Sequence, residues 1–223
     1  MTIDSLTREE LEAFHAEQER QYQALKSAGL KLDITRGKPA PAQLELSNAM
    51  LQLPSTAIAA DGTDTRNYGG GTGLTQLREI FAELLNIPVA QLVAGNNASL
   101  TLMHDSIVFA LLHGMPDSDA PWSAGPIKFL APAPGYDRHF AICEHLGIEL
   151  ILIDMLADGP DMAAVREAVK DPAVKGMWLV PTYSNPTGVT ISEQVAAELA
   201  ALETAANDFR IYWDNAYAVH HLT

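Results

Sequence analysis

The sequence predicts an α/β fold, a mostly parallel sheet with helices on both faces, preceded by an N-terminal helical arm. Three observations predict it. From about Leu92 onward, short apolar segments alternate with segments of helical periodicity. Hydrophobic residues make up 48% of the 223 residues, enough for a core and too many for a disordered chain. Two breaks rich in turn formers, 36–41 and 68–73, set the N-terminal part apart.

The elements follow in order. Thr7 and Glu10 have the spacing of a capping box. Leu11, Phe14, Tyr22 and Leu25 recur at helical spacing behind it, and Gly29 is placed to end that helix. Leu74, Leu77, Phe81, Leu84 and Leu85 form one face of a second helix. Strands are expected near 91–94, 127–131, 149–153, 175–180 and 210–213. Helices fit between them near 98–113, 137–146, 162–169 and 192–208, the last behind a second capping box from Thr190 to Glu193. In such folds ligands collect at the carboxyl ends of the strands.

Composition excludes several function classes. Fourteen Lys and Arg against 28 Asp and Glu give a net charge of −14, which repels nucleic acid and anionic membrane. No apolar run approaches the roughly 18 residues of a membrane helix. The N-terminus carries acids early and lacks the apolar core of a signal peptide. One cysteine, Cys143, allows no internal disulfide and no thiol zinc cluster. A cytoplasmic protein is therefore expected, and the sequon at Asn97-Ala98-Ser99 is read as chance.

Some motifs fail on inspection. Gly69-Gly70-Gly71-Thr72-Gly73-Leu74 lacks the third glycine of a dinucleotide fingerprint and the Gly-Lys-Ser/Thr of a P-loop. No Gly-x-Ser-x-Gly elbow seats a hydrolase serine. His220 and His221 are adjacent, and adjacent positions rarely converge on one metal ion.

Four segments carry the functional argument. Val93-Ala94-Gly95-Asn96-Asn97-Ala98-Ser99 runs into a helix through a glycine and small polar residues, and free amides at a helix start favour a phosphate. Ala131-Pro132-Ala133-Pro134-Gly135-Tyr136 puts an aromatic ring after a strand, where it can stack on a flat ligand or on its own loop. Ser184-Asn185-Pro186-Thr187-Gly188 is a turn whose asparagine, extended before proline, can donate across the strand ends. In Ile211-Tyr212-Trp213-Asp214-Asn215-Ala216-Tyr217 an aspartate ends an apolar strand. Such a carboxylate either meets a cation, as in a pyridinium nitrogen, or caps a following helix.

Taken together, these segments resemble the fold type I enzymes that use pyridoxal phosphate (PLP), class I/II aminotransferases in particular. Arg36-Gly37-Lys38-Pro39 and Asp214-Asn215-Ala216-Tyr217-Ala218-Val219-His220-His221-Leu222 look closest to the bacterial MocR-type family, which includes aspartate aminotransferases. The resemblance covers essentially the whole chain. It implies a partial PLP-binding large domain over 49–223, and an N-terminal arm with part of a small domain over 1–48.

By the same resemblance, Asp214 pairs with the ring nitrogen and Tyr217 donates to the ring oxygen and tunes the Schiff base. Asn185 bonds the same oxygen and lies near the substrate carboxylate. Tyr136 stacks on the ring, and Gly95, Asn96, Asn97 and Ala98 hold the phosphate. Asn96 and Asn97 depart from the serine, glycine or glutamine usual there. Tyr68 reaches the phosphate of a neighbouring subunit, which implies a homodimer, and Gly37 lines the substrate site. The reaction implied passes an amino group between an amino acid, aspartate by family, and a 2-oxo acid.

Two parts of the family pattern lie outside the chain. The Schiff-base lysine should follow Asp214, yet none of Lys26, Lys31, Lys38, Lys128, Lys170 and Lys175 has a matching context. The arginine for the substrate α-carboxylate is absent too. The chain as given is therefore expected to be inactive, its sheet left with exposed edges or with a gap between its first strand and the Asn-Pro strand. Another PLP reaction, such as a lyase or decarboxylase, shares most of these residues. A non-catalytic ligand-sensing module and a non-catalytic remnant are further alternatives.

Overall fold

The structure is a computed structural model that describes residues 3–32, 37–53, 55–95 and 97–220. It divides into two compact units, Met1–Ala57 and Ile58–Thr223.

In the first unit, helix α1 spans Arg8–Ser27. Its capping box forms as the sequence predicts. The Thr7 backbone N–H donates to Glu10 Oε2 at 2.8 Å, and the Glu10 N–H donates to Thr7 Oγ1 at 3.3 Å. Gly29, at φ +58°, supplies the left-handed backbone just past its end. The apolar stripe of this helix stays open: Leu11, Phe14, Tyr22 and Leu25 are all exposed. Pro41 opens the short helix α2, Pro41–Glu45.

The second unit holds the sheet. Its strands are β1 (Lys128–Ala133), β2 (Glu149–Leu156), β3 (Gly159–Pro160), β4 (Val174–Leu179) and β5 (Arg210–Trp213), in the spatial order β3-β2-β1-β4-β5. Pairs β1–β2, β1–β4 and β4–β5 are parallel, and the two-residue β3 is antiparallel to β2. The expected mostly parallel sheet is thus present.

Alternation along each strand sorts side chains to two faces. Phe129 and Trp178 enter one buried cluster with Ile107 and Ala110 of helix α4 (Ser99–His113) and Cys143 of helix α5 (Asp137–His145). Their strand neighbours Leu130 and Met177 enter the other. There they meet Val165 of helix α6 (Met162–Ala168) and Leu199 of helix α7 (Glu193–Ala200). Helices therefore cover both faces, and the central strands β1 and β4 are buried on both sides.

Three expectations need correction. No strand forms at 91–94 among the described residues. A 3-10 turn occupies Val89–Gln91, and the extended segment after it finds only one ladder-like bond, Ala94 N–H to the Thr72 carbonyl at 2.9 Å. A strand needs a neighbouring strand along its length, and among the described residues none lies beside this one. The sheet also has no gap before the Asn-Pro strand. That strand, β4, pairs with β1 on one side and β5 on the other, and among the described residues β3 and β5 are the edges of the sheet.

The last helix ends at Ala200 rather than 208, because the Ala205 N–H leaves the helical ladder to donate to the Val169 carbonyl at 2.9 Å. Its N-cap is Ser192, bonded to the Val195 N–H, while Thr190 Oγ1 accepts instead from the Tyr183 N–H. Helix α3 (Thr75–Leu85) forms where expected. Arg78 on it ties down the 89–94 segment, donating to the Leu92 carbonyl at 2.7 Å and the Val89 carbonyl at 2.6 Å. Among the described residues, no helix is long and apolar enough to cross a membrane.

Candidate active site

Chain direction brings the predicted residues toward one end of the sheet. The carboxyl ends of β1, β4 and β5 lead into 134–136, 180–188 and Asp214. Helix α4 runs antiparallel to the strands. The Leu111 carbonyl near its C-terminus accepts from Ser123 Oγ at 2.6 Å, just before β1 begins. Its N-terminus, at Ser99, therefore points to the carboxyl ends. The N-cap Ala98 offers no side-chain cap. Amides and positive dipole there are available to an anion. Gly95 stands close to this helix, since a Cβ on it would meet Leu102 Cδ2 at 2.9 Å.

Asp214 is set by two contacts. Its backbone N–H donates to the Leu179 carbonyl at 2.8 Å, continuing the β4–β5 ladder by one residue. Its carboxylate Oδ2 meets His139 Nε2 at 3.0 Å. The Asp214 side chain is 12% exposed and that of His139 only 2%. A carboxylate so enclosed needs a partner, and an imidazole so enclosed needs one too. The alternative of Asp214 as a helix cap does not hold: residues 216–219 form turns, not a helix. Among the described residues Asp214 Oδ1 has no hydrogen-bond partner, so one oxygen remains to accept from a cationic donor.

His139 is the residue that the sequence reading misses. It lies one turn into α5 after Tyr136, whose ring stands edge-on to it at 5.1 Å and 90°. On another side it stacks on Trp178 with centroids 4.5 Å apart and planes within 8°. The only sequence signal is a histidine one turn after an aromatic residue at a helix start, on a helix whose inner face is apolar. Such a histidine must find an acid or a carbonyl if buried.

The Asn-Pro turn closes on itself. The Ile191 N–H donates to the Pro181 carbonyl at 2.9 Å, and the Ser184 N–H to the Val189 carbonyl at 2.8 Å. Ser184 is buried at its base, and Asn185 stands exposed at its tip. A narrow crevice between the ends of β1 and β4 is lined by Tyr136, His139, Trp178 and Ser184. Gly135 makes the turn above it, since a Cβ there would lie 2.3 Å from the Pro132 carbonyl oxygen.

Tyr68, Tyr217, Asn97 and Ala98 are not drawn into this cluster. Tyr68 is fully exposed. Tyr217 lies in the turn after Asp214, its ring edge-on to His220 at 6.2 Å. Asn97 and Ala98 are exposed at the start of α4, and Asn96 lies outside the described residues. Gly37 belongs to the first unit, where a Cβ would meet nothing within 4 Å. Lys128 is the first residue of β1 and Lys175 the second of β4, at the opposite end of the sheet, and they are held by Asp171 at 3.1 Å and Asp208 at 2.6 Å. Among the described residues, no cluster of histidine, cysteine and acidic side chains could hold a metal ion.

The chain matches the family described as aspartate amino-transferase over residues 6–223. A Mycolicibacterium smegmatis protein, named provisionally as an aminotransferase, is 58% identical over 229 residues; the match covers 100% of this chain and 54% of that protein. An aspartate aminotransferase of Corynebacterium glutamicum is 51% identical over 226 residues, covering 100% of this chain and 52% of that protein.

The crystal structure of an aspartate transaminase from Corynebacterium glutamicum superposes with a TM-score of 0.89 at 51% identity, covering 100% of this chain and 53% of that one. The chain thus spans about half the length of these relatives, and its fold is that of the fold type I aminotransferases. By its match from residue 6 to the last residue, and by these identities, the chain belongs to the aspartate aminotransferase family.

Proposed function

We propose that the full-length protein carrying this chain is a PLP-dependent aminotransferase that moves an amino group between an amino acid, aspartate first, and a 2-oxo acid. The observation that carries this reading is Asp214. Its backbone and one carboxylate oxygen are fixed at the end of β5, and the other oxygen is left to a cation.

The residues present fit the cofactor. The uncapped N-terminus of α4, with Gly95 close against Leu102, is a seat for its phosphate. Gly95, Asn96, Asn97 and Ala98 would supply that seat, largely by backbone. Tyr136 would lie against the ring, and Asn185 and Tyr217 would donate to its hydroxyl oxygen. Asp214 would hold the ring nitrogen protonated. When bound, such a ring draws in the electrons left on the substrate α-carbon. Asn185 and Gly37 would border the substrate.

Tyr68, exposed here, would reach the phosphate seat of a second subunit, so the parent is proposed to be a homodimer. The division at 48 and 49, with an N-terminal arm before a large domain, belongs to the same reading. The exposed stripe of α1 supports it, because an apolar face of that kind calls for a cover. The setting proposed is cytoplasmic amino acid biosynthesis.

The test is turnover by the purified full-length protein. L-Aspartate should be consumed only when a 2-oxo acid is added, and Asp214→Ala should lower the rate by about a hundredfold or more. Aspartate consumption that needs no 2-oxo acid and releases carbon dioxide or ammonia would point to a decarboxylase or lyase and overturn the proposal.

A further inference from the structure

We propose that Trp178 is a positioning residue: its indole face is the floor that fixes the plane of His139 and, through His139, the Asp214 carboxylate. This rests on the reading that Asp214 meets the cofactor's ring nitrogen.

The geometry points to it in four steps. First, the two rings are stacked, 4.5 Å apart and within 8° of parallel. Rotation of the imidazole about its Cβ–Cγ bond would drive a ring edge into the indole, so one plane is kept. In that plane Nε2 reaches Asp214 Oδ2 at 3.0 Å.

Second, the indole cannot turn either. Trp178 is 1% exposed. Its Nε1–H donates to Cys143 Sγ at 3.1 Å, and Phe129 and Tyr212 close on it at 5.8 and 4.9 Å. Burial pushes the Cys143 thiol up to about 11, although the indole N–H acts the other way. The sulfur therefore stays a neutral acceptor.

Third, Tyr136 stands edge-on to His139 at 5.1 Å, which further confines the ring. Fourth, strand β4 sets Asp214 twice over. Leu179 accepts the Asp214 N–H at 2.8 Å, and the preceding residue, Trp178, holds the imidazole that meets its carboxylate. Backbone and side chain of the acid are thus referred to two successive residues of one strand. A core position needs only apolar volume. A position that holds a plane needs a flat, anchored ring, which is what stands here.

The experiment uses the full-length protein and three variants. Trp178→Leu fills volume without a plane. Trp178→Phe keeps a flat face and loses the anchor. Met177→Ala damages the core from the same strand but faces the other side of the sheet. Two readouts accompany the melting temperature. One is the 15N NMR spectrum of the His139 ring in the cofactor-free protein. The other is the pH titration of the bound cofactor's visible absorbance.

Trp178→Leu should move the His139 resonances, shift the absorbance titration by about one pH unit, and weaken cofactor retention by about tenfold. Trp178→Phe should move both readouts the same way by less. Met177→Ala should lower the melting temperature and leave both readouts in place. Should Trp178→Leu not fold, Trp178→Phe decides. Native readouts in the Trp178 variants, or equal shifts in Met177→Ala, would overturn the proposal. Asp214→Asn separates it from the underlying reading. If that variant leaves the absorbance titration unmoved, Asp214 does not meet the ring, and the His139 spectrum still judges Trp178.

Discussion

Lys175→Met should destabilise the protein through the acid it leaves behind. Asp208 is buried, with its side chain 3% exposed, at the end of the sheet opposite the candidate site. It accepts from Lys175 Nζ at 2.6 Å, Ser118 Oγ at 2.6 Å and Trp122 Nε1 at 2.9 Å. Removing one partner of a buried ion pair costs about 3–5 kcal/mol. Here Ser118 and Trp122 continue to donate. A cavity of about 440 Å³ lined by Trp122, Lys175 and Asp208 also lets water approach. The expected cost is therefore about 2–3 kcal/mol, seen as a urea midpoint lowered by about 1 M.

The dependence on pH has a definite sign. Burial alone would raise the Asp208 carboxyl, but Lys175, Ser118 and Trp122 outweigh it and hold the group below its ordinary value of 3.8. The stabilisation from this depressed group is present in full at neutral pH and is lost as pH falls through the native value. The Lys175→Met deficit should accordingly be largest at neutral pH and shrink in acid, where the carboxyl is protonated. Asp208→Asn combined with Lys175→Met should recover much of the loss, since no unpaired charge stays buried. A Lys175→Met midpoint equal to wild type, or a deficit that grows on acidification, would refute this account of the network.

Two further predictions are read from the core. Gly176→Ala should cost about 1–3 kcal/mol or more by thermal or urea melting, because its Cβ would lie 2.4 Å from the Phe129 ring. A neutral result would mean that Phe129 moves freely within its cluster. Cys143 should react with a thiol reagent at pH 8 only on unfolding, since burial raises its thiol to about 11; fast labelling of the native protein would contradict its placement.

Local pattern makes some parts of this fold legible from sequence and leaves others hidden. The capping box at Thr7 and Glu10, the stop near Gly29, and strands β1, β2, β4 and β5 depend on neighbouring residues, and the sequence reading finds them. The segment 91–94 has a strand's composition but, among the described residues, no strand to pair with, which composition cannot reveal. Helix α7 stops early although Ala205 and Ala206 would continue it. A distant carbonyl, that of Val169, takes the Ala205 N–H.

The same division holds at the site. Asp214 is legible because a carboxylate ending an apolar strand needs a reason. His139 is not, because its reason lies 75 residues away in sequence. Asp208 escapes notice likewise, its cation 33 residues off on the neighbouring strand. Buried ionic pairs of this kind are long-range facts, and one chain read by periodicity carries no trace of them.

In the proposed full-length enzyme, the carboxyl ends of β1, β4 and β5, with the start of α4, seat pyridoxal phosphate through Asp214. The most direct test is a crystal structure of the full-length protein grown with that cofactor. The ring nitrogen should lie within hydrogen-bond reach of the Asp214 carboxylate, with His139 still on its other oxygen and the phosphate at the amides opening α4. A cofactor bound elsewhere, or an Asp214 carboxylate turned away from the ring nitrogen, would contradict this proposal.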